Sequence, residues 1–140
     1  MSTRATYDFI DEYERFTVYK HHDGYPSGGL SFIEAAKKHA WKLPRFEASD
    51  FGAGFIVANK DGGGGVRLTG SRESHGDTEY HYEISLDEAS KELYVKIHKI
   101  DYDHTRNLVH SQVPLDYRTR AWKLLDEGLL PDLIKKHGSL

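Results

Sequence analysis

Apolar, β-branched and aromatic positions concentrate in residues 5–10 (ATYDFI) and 16–21 (FTVYKH), and the polar DEYER joins them. This pattern predicts two strands of a hairpin. The second strand runs into Asp23-Gly24, a turn dipeptide. Tyr25 precedes Pro26, whose ring disfavours a helical conformation at Tyr25. Ser31-Phe32-Ile33-Glu34 fits a capping box, so the pattern predicts a helix over 32–42 that buries Phe32, Ile33, Ala36 and Ala40 and is stopped by Pro44. A second short helix is predicted over 50–59, capped by Ser49, with Phe51, Phe55 and Ile56 inward. Gly52 and Gly54 weaken it as a helix but allow close packing.

From Val66 onward the spacing changes from helical to alternating. Val66–Thr69, Thr78–Leu86, Glu92–Ile100 and Leu108–Val113 read as strands, and their closeness in sequence favours an antiparallel meander. Tyr117–Glu127 reads as an amphipathic helix carrying Trp122, Leu124 and Leu125. Gly128 is then its C-cap, and Pro131 lies in the first turn of a last short helix. The meander's register follows from its apolar positions. With Tyr82, Ile84 and Leu86 opposite Ile97, Val95 and Leu93, both apolar sets share one face and EASK closes the hairpin. A slip by one residue would turn one set into water. The same register places Glu83 opposite Lys96 and His81 opposite His98. Leu108 opposite Ile100 then sets His110 beside His98.

The predicted architecture is α+β in a single domain of 140 residues: a mostly antiparallel sheet of five or six strands, helices on one face and a C-terminal helix. The hydrophobic fraction of 38% against 29% charged residues supports a buried core with a solvated exterior. No apolar run approaches the roughly 20 residues of a membrane helix. The first residues lack the pattern of a signal peptide, so the expected location is cytoplasmic with no membrane partner. The formal charge of −3 argues against a duplex nucleic-acid partner. With no cysteine, any metal would be held by His, Asp or Glu. Nine histidines make the net charge swing positive below about pH 6.5.

Four features could carry chemistry. His81, His98 and His110 form one row across three strands in the register above, with Glu79 and Glu83 on the same face. Neighbours on a sheet face lie about 5 Å apart at Cβ, close enough to share a metal; the plainer reading is the solvated face of a one-sided sheet. The stretch His21-His22-Asp23-Gly24-Tyr25-Pro26 could supply a general base oriented by Asp23, or a ligand wall in front of a helix N-terminus that favours anions. Its plainer reading is a turn. KDGGGGVR lacks the ending of a phosphate loop and precedes a strand, so it reads as a mobile loop or ligand rim. Arg67, Arg72, Arg118 and Arg120 could grip a phosphate if the last helix packs by the sheet edge. Arg118 and Arg120 are two apart, which on a helix separates their directions. There is no G-x-S-x-G, no H-E-x-x-H, and SRESHGD reads as a polar hairpin tip.

Through Tyr19, His21, Asp23, Gly24, Tyr25, Pro26 and Gly28, TVYKHHDGYPSGG resembles a group of small bacterial and phage proteins of uncharacterised activity. The resemblance covers about the first third of the chain. It implies a viral or mobile-element accessory protein, an inhibitor or anti-defence factor that sequesters rather than catalyses. The expected function is therefore a binding module without a cofactor, capturing a small anionic ligand or a partner protein through His21, His22, Asp23, Tyr25, Arg67, Arg118 and Arg120. Nine tyrosines and two tryptophans make a homo-oligomer a further expectation. The competing readings are a metal-dependent hydrolase built on His81, His98 and His110, an acid–base catalyst using His21 or His22 with Asp23, and an assembly protein using its sheet edge.

Overall fold

The computed structural model describes residues 2–101 and 121–140. Six strands form one sheet: β1 (Ala5–Ile10), β2 (Arg15–Lys20), β3 (Val66–Thr69), β4 (Tyr80–Asp87), β5 (Glu92–Ile100) and β6 (Trp122–Leu129), in the order β3-β2-β1-β4-β5-β6. Helices α1 (Pro26–Ala36), α2 (Ala48–Asn59) and α3 (Leu130–His137) supply the layer on one face. The fold is α+β, as the sequence pattern implied. Among the described residues no helix is long and apolar enough to cross a membrane.

The register derived for β4 and β5 is the one observed: Tyr82 pairs with Ile97, Ile84 with Val95, Leu86 with Leu93, Glu83 with Lys96 and His81 with His98. Asp87 closes this hairpin, its carbonyl accepting from Lys91 N and its carboxylate from Ser90 N and Oγ. Strand β1 instead pairs parallel with β4 and antiparallel with β2. The simple meander is thus corrected, because β1 is buried on both faces, with Ala5 to Phe9 all inaccessible or nearly so, and takes the centre of the sheet.

Three elements also differ from the sequence reading. Helix α1 begins at Pro26, six residues before the expected start. Tyr25 is extended and Pro26 occupies the first turn, where its missing N–H costs nothing. Ser31 is therefore internal and donates its hydroxyl to Ser27 O at 2.7 Å rather than capping. The helix gives way after Ala36 to a single 3-10 turn, Lys37–His39, so it ends well before Pro44. Helix α2 starts at Ala48, and Ser49 is not its cap: the carboxylate of Asp11, from the β1–β2 turn, accepts from Ala48 N at 2.8 Å. Finally, residues 122–127 are strand, not helix, and Gly128 lies within β6. The pairing with β5 shifts between Ile97–Asp126 and His98–Leu124, leaving Leu125 as an extra, bulged residue. That insertion breaks the period of two and makes WKLLDE imitate a helical stripe. The expected strand 108–113 and the expected helical residues 117–120 lie outside the described residues.

The core lies between the sheet and the helices. Tyr7 stacks on Tyr82 at 4.9 Å and meets Phe55 at 4.6 Å, while Phe9 packs on Phe51 and Phe55. Each fully buried ring or aliphatic chain here contributes about 1.5–3 kcal/mol of transfer free energy.

Candidate functional site

The sequence GYPSGG builds the corner between β2 and α1 by close packing. A Cβ on Gly29 would lie 2.4 Å from the Tyr82 ring, one on Gly28 would overlap the Asp23 carbonyl, and one on Gly24 would reach Ala5 Cβ at 2.7 Å. Tyr82 donates its buried hydroxyl to Gly24 O at 2.5 Å, tying the corner to the middle of the sheet. Asp23 adopts φ of 57°, a left-handed turn that Asp tolerates. These contacts give the glycines and the turn a structural reason. His22 is exposed with Nδ1 2.9 Å from Ser2 Oγ, and Tyr25 donates to Asp23 Oδ1 at 3.2 Å. Neither ring shares a contact with Arg67.

His21 does meet Arg67, through Tyr19. Strand parity puts Tyr19 and His21 on the face away from the helices, where Tyr19 is 1% exposed. Its hydroxyl is 2.9 Å from His21 Nδ1, the Arg67 guanidinium sits 4.8 Å from its ring centroid, and His75 stacks on it at 4.1 Å. Arg4 completes the group, donating to His21 Nδ1 at 3.3 Å and pairing with Asp77 at 2.9 Å. Partial burial, then Arg4 and His22, lower the His21 pKa from 6.5; partial burial and Arg67 lower that of His75. Burial, followed by Asp77, raises the Tyr19 phenol, which keeps its proton. The glycine run lies beside this group: Gly65 O accepts from His21 N at 2.9 Å, and side chains added at Gly62 to Gly65 would meet nothing.

His75 and Asp77 arrive on the connection from β3 to β4. Since β3 and β4 flank β2 and β1, this segment must cross the sheet, and it does so over the face opposite the helices: His75 covers Tyr19 and Arg72 approaches Glu83 at 4.0 Å. SRESHGD is thus a crossover and not a hairpin tip. It also means that this face is not simply solvated. Thr6, Asp8, Thr17, Thr78 and His81 are all buried there. Thr17 donates to Asp8 Oδ1, Arg15 Nε pairs with Asp8 Oδ2 at 2.9 Å, and Thr6 Oγ1 lies 2.6 Å from His81 Nδ1. His81 Nε2 is 3.4 Å from Asp8 Oδ2, long for a hydrogen bond but fitting the tautomer with the proton on Nε2. Burial pushes Asp8 up, yet its contacts with His81, Thr17 and Arg15 outweigh this and hold its pKa below 3.8. A cavity of about 340 Å³ opens beside Asp8, Arg15, Arg72 and Glu83.

The structure brings His81 and His98 together with ring centroids 6.0 Å apart, and places His98 Nε2 3.3 Å from Glu83. Among the described residues no three His, Asp or Glu side chains are grouped to hold a metal ion. His110, Arg118 and Arg120 lie outside the described residues. The sequence reading did not single out Arg4, Asp8 or the threonines, and it set His75 and Asp77 aside within SRESHGD as a polar hairpin tip. Parity along β1 was the available signal for Thr6 and Asp8, since they alternate with Ala5, Tyr7 and Phe9; nothing local pointed to His75, which arrives on the crossover.

No protein-family model, curated protein or solved structure matches this chain.

Proposed function

We propose that the chain is a non-catalytic binding module that takes a small anionic ligand, a phosphorylated metabolite by chemistry, at the Tyr19 corner. One observation carries this reading: two guanidiniums (Arg4, Arg67) and two imidazoles (His21, His75) gather on one tyrosine, and Asp77 is the carboxylate that meets them. Guanidiniums and protonatable imidazoles beside an open glycine turn suit phosphate oxygens, with charge-assisted hydrogen bonds from a pre-organised fork. Among the described residues none of these four side chains bonds a serine or threonine hydroxyl, so the arrangement suits gripping rather than nucleophilic attack. The accessory, sequestering role implied by the Tyr19-to-Gly28 resemblance, in a cytoplasmic setting, belongs with this reading.

Thermal shift and calorimetry with inorganic phosphate, pyrophosphate and a nucleoside monophosphate test it. At a hundredfold excess over Kd a ligand stabilises by about 2.7 kcal/mol, which raises Tm by several degrees in a chain of this size. Binding should strengthen as pH falls below about 6.5, because the ligand favours protonated His21 and His75, whose pKa values lie below the ordinary one. Arg67→Gln should weaken it at least about tenfold while the unliganded Tm stays nearly constant, as Arg67 is exposed. No response to any of the three anions, or an unchanged affinity in Arg67→Gln, would overturn the proposal.

A further inference from the structure

A second cavity lies at the other end of β1. It is an open groove of about 690 Å³ between the β1–β2 turn, the chain entering α2 and the end of β4. Its apolar surface comes from Ile10, Phe46 and Leu86, all half-buried, and from Tyr13, which is 89% exposed. Its charged residues are all acidic, and no lysine or arginine lines it.

Two of these carboxylates are already occupied. Asp11 accepts from the backbone N–H groups of Tyr13, Glu14 and Ala48, and Glu47 pairs with Arg45 at 3.2 Å. Glu12, Glu14 and Glu88 are exposed and have no ion-pair partner among the described residues. Three uncompensated negative charges around an apolar trough raise the local concentration of cations and repel acidic surfaces. An exposed tyrosine beside half-buried apolar side chains is the composition of a binding hot spot.

We infer that this groove docks a basic segment of a partner protein, one large apolar side chain entering between Tyr13, Phe46 and Leu86 while flanking lysines or arginines face Glu12, Glu14 and Glu88. Charge complementarity selects this occupant. An acidic or purely polar segment would leave the glutamates unpaired and the trough wet. The groove is separate from the Tyr19 corner, so this inference does not depend on the anion-binding proposal.

Fluorescence anisotropy with a labelled synthetic peptide, a Trp-Leu pair flanked on both sides by lysine and arginine, tests it on the full chain. Two control peptides are used: one replaces Trp-Leu by Gly-Ser, and one replaces the basic residues by glutamate. The expected result is saturable binding of the first peptide, weakened by salt, and at least about tenfold weaker for either control. Glu12→Lys with Glu88→Lys should lower the affinity by about tenfold or more, and Tyr13→Ser should lower it at constant salt dependence. All three positions are exposed, and circular dichroism checks that the variants fold. Arg67→Gln should leave peptide binding unchanged. Absence of binding, equal binding of the Gly-Ser peptide, or insensitivity to the double reversal would overturn the inference. So would self-association by light scattering that Glu12→Lys with Glu88→Lys abolishes, since the occupant would then be a second copy of the chain.

Discussion

Replacing His81 by glutamine probes the polar side of the sheet through its pH dependence. The imidazole is inaccessible to solvent, with Thr6 at Nδ1 and Asp8 near Nε2. Burial lowers its pKa from 6.5, outweighing the opposing pull of Asp8. The folded protein therefore holds His81 neutral, while the unfolded chain takes up a proton near the ordinary value. Below that value the unfolded state binds more protons, so stability falls as pH falls. For a histidine that stays neutral in the fold, one unit below 6.5 costs up to about 1.4 kcal/mol. Glutamine has no such proton. His81→Gln should be less stable than wild type at about pH 7.5 by about 1–3 kcal/mol, the loss of a buried hydrogen bond and a good fit. At about pH 5.5 the gap should narrow by up to about 1.4 kcal/mol. Urea unfolding at both pH values measures it, with unchanged m-values as the check on two-state behaviour. His21 and His75 shift in the same direction and add to the wild-type slope, but they are common to both proteins and cancel in the difference. A gap of equal size at the two pH values, or one that widens in acid, would refute the reasoning.

Further substitutions separate packing from bonding. Gly29→Ala places a methyl group against the Tyr82 ring and should cost about 1–3 kcal/mol in urea unfolding, whereas Gly63→Ala, which meets nothing within 4 Å, should be close to neutral. Tyr82→Phe removes the buried bond to Gly24 O and should cost about 1–2 kcal/mol, read from the shift in Tm. Asp11→Ala removes the acceptor shared by the hairpin turn and the first N–H of α2, a loss of about 1–2 kcal/mol; hydrogen exchange should rise at Ala48 before it rises in β4. Lys136 and then His137 hold the Asp126 pKa at about 2, so the attachment of α3 to β6 should persist above about pH 4 and loosen as pH falls towards that value, measured by near-ultraviolet circular dichroism.

The β4–β5 register was legible because each strand has one apolar face, and only one alignment superimposes Tyr82, Ile84 and Leu86 on Ile97, Val95 and Leu93. Strand β6 was not, since Leu125 is a bulge and a bulge erases the period that identifies a strand. The start of α1 was hidden by a local conflict: Ser31 and Glu34 form a plausible capping box, but Pro26 and the small residues Gly28 and Gly29 let the helix begin earlier and press against Tyr82. The parallel pairing of β1 with β4 links residues 75 positions apart, and no local pattern encodes it. The candidate site divides the same way. His21 and Arg67 were visible as polar residues at strand ends, whereas His75 and Asp77 reach Tyr19 only because the β3–β4 connection crosses the sheet.

That crossover bears on how the two proposed sites relate. Both are mounted on β1, the most buried strand: Arg4 stands just before its first residue, and Ile10 at its end lines the acidic groove. Six residue steps from Arg4 to Ile10 at the strand rise separate them by about 20 Å. The Debye length at physiological salt is about 8 Å, so direct Coulomb coupling between an anion at the corner and a cation in the groove is strongly screened through solvent. What lies between them inside the protein is Asp8, held by Thr17, Arg15 and His81. Coupling between the sites would need a two-state element that both bias, and the bonds from Thr17 and Arg15 to Asp8 oppose its acting as one. The two proposed sites are therefore expected to act independently: saturating inorganic phosphate should leave the affinity for the basic peptide unchanged, and a shift of about tenfold would refute this.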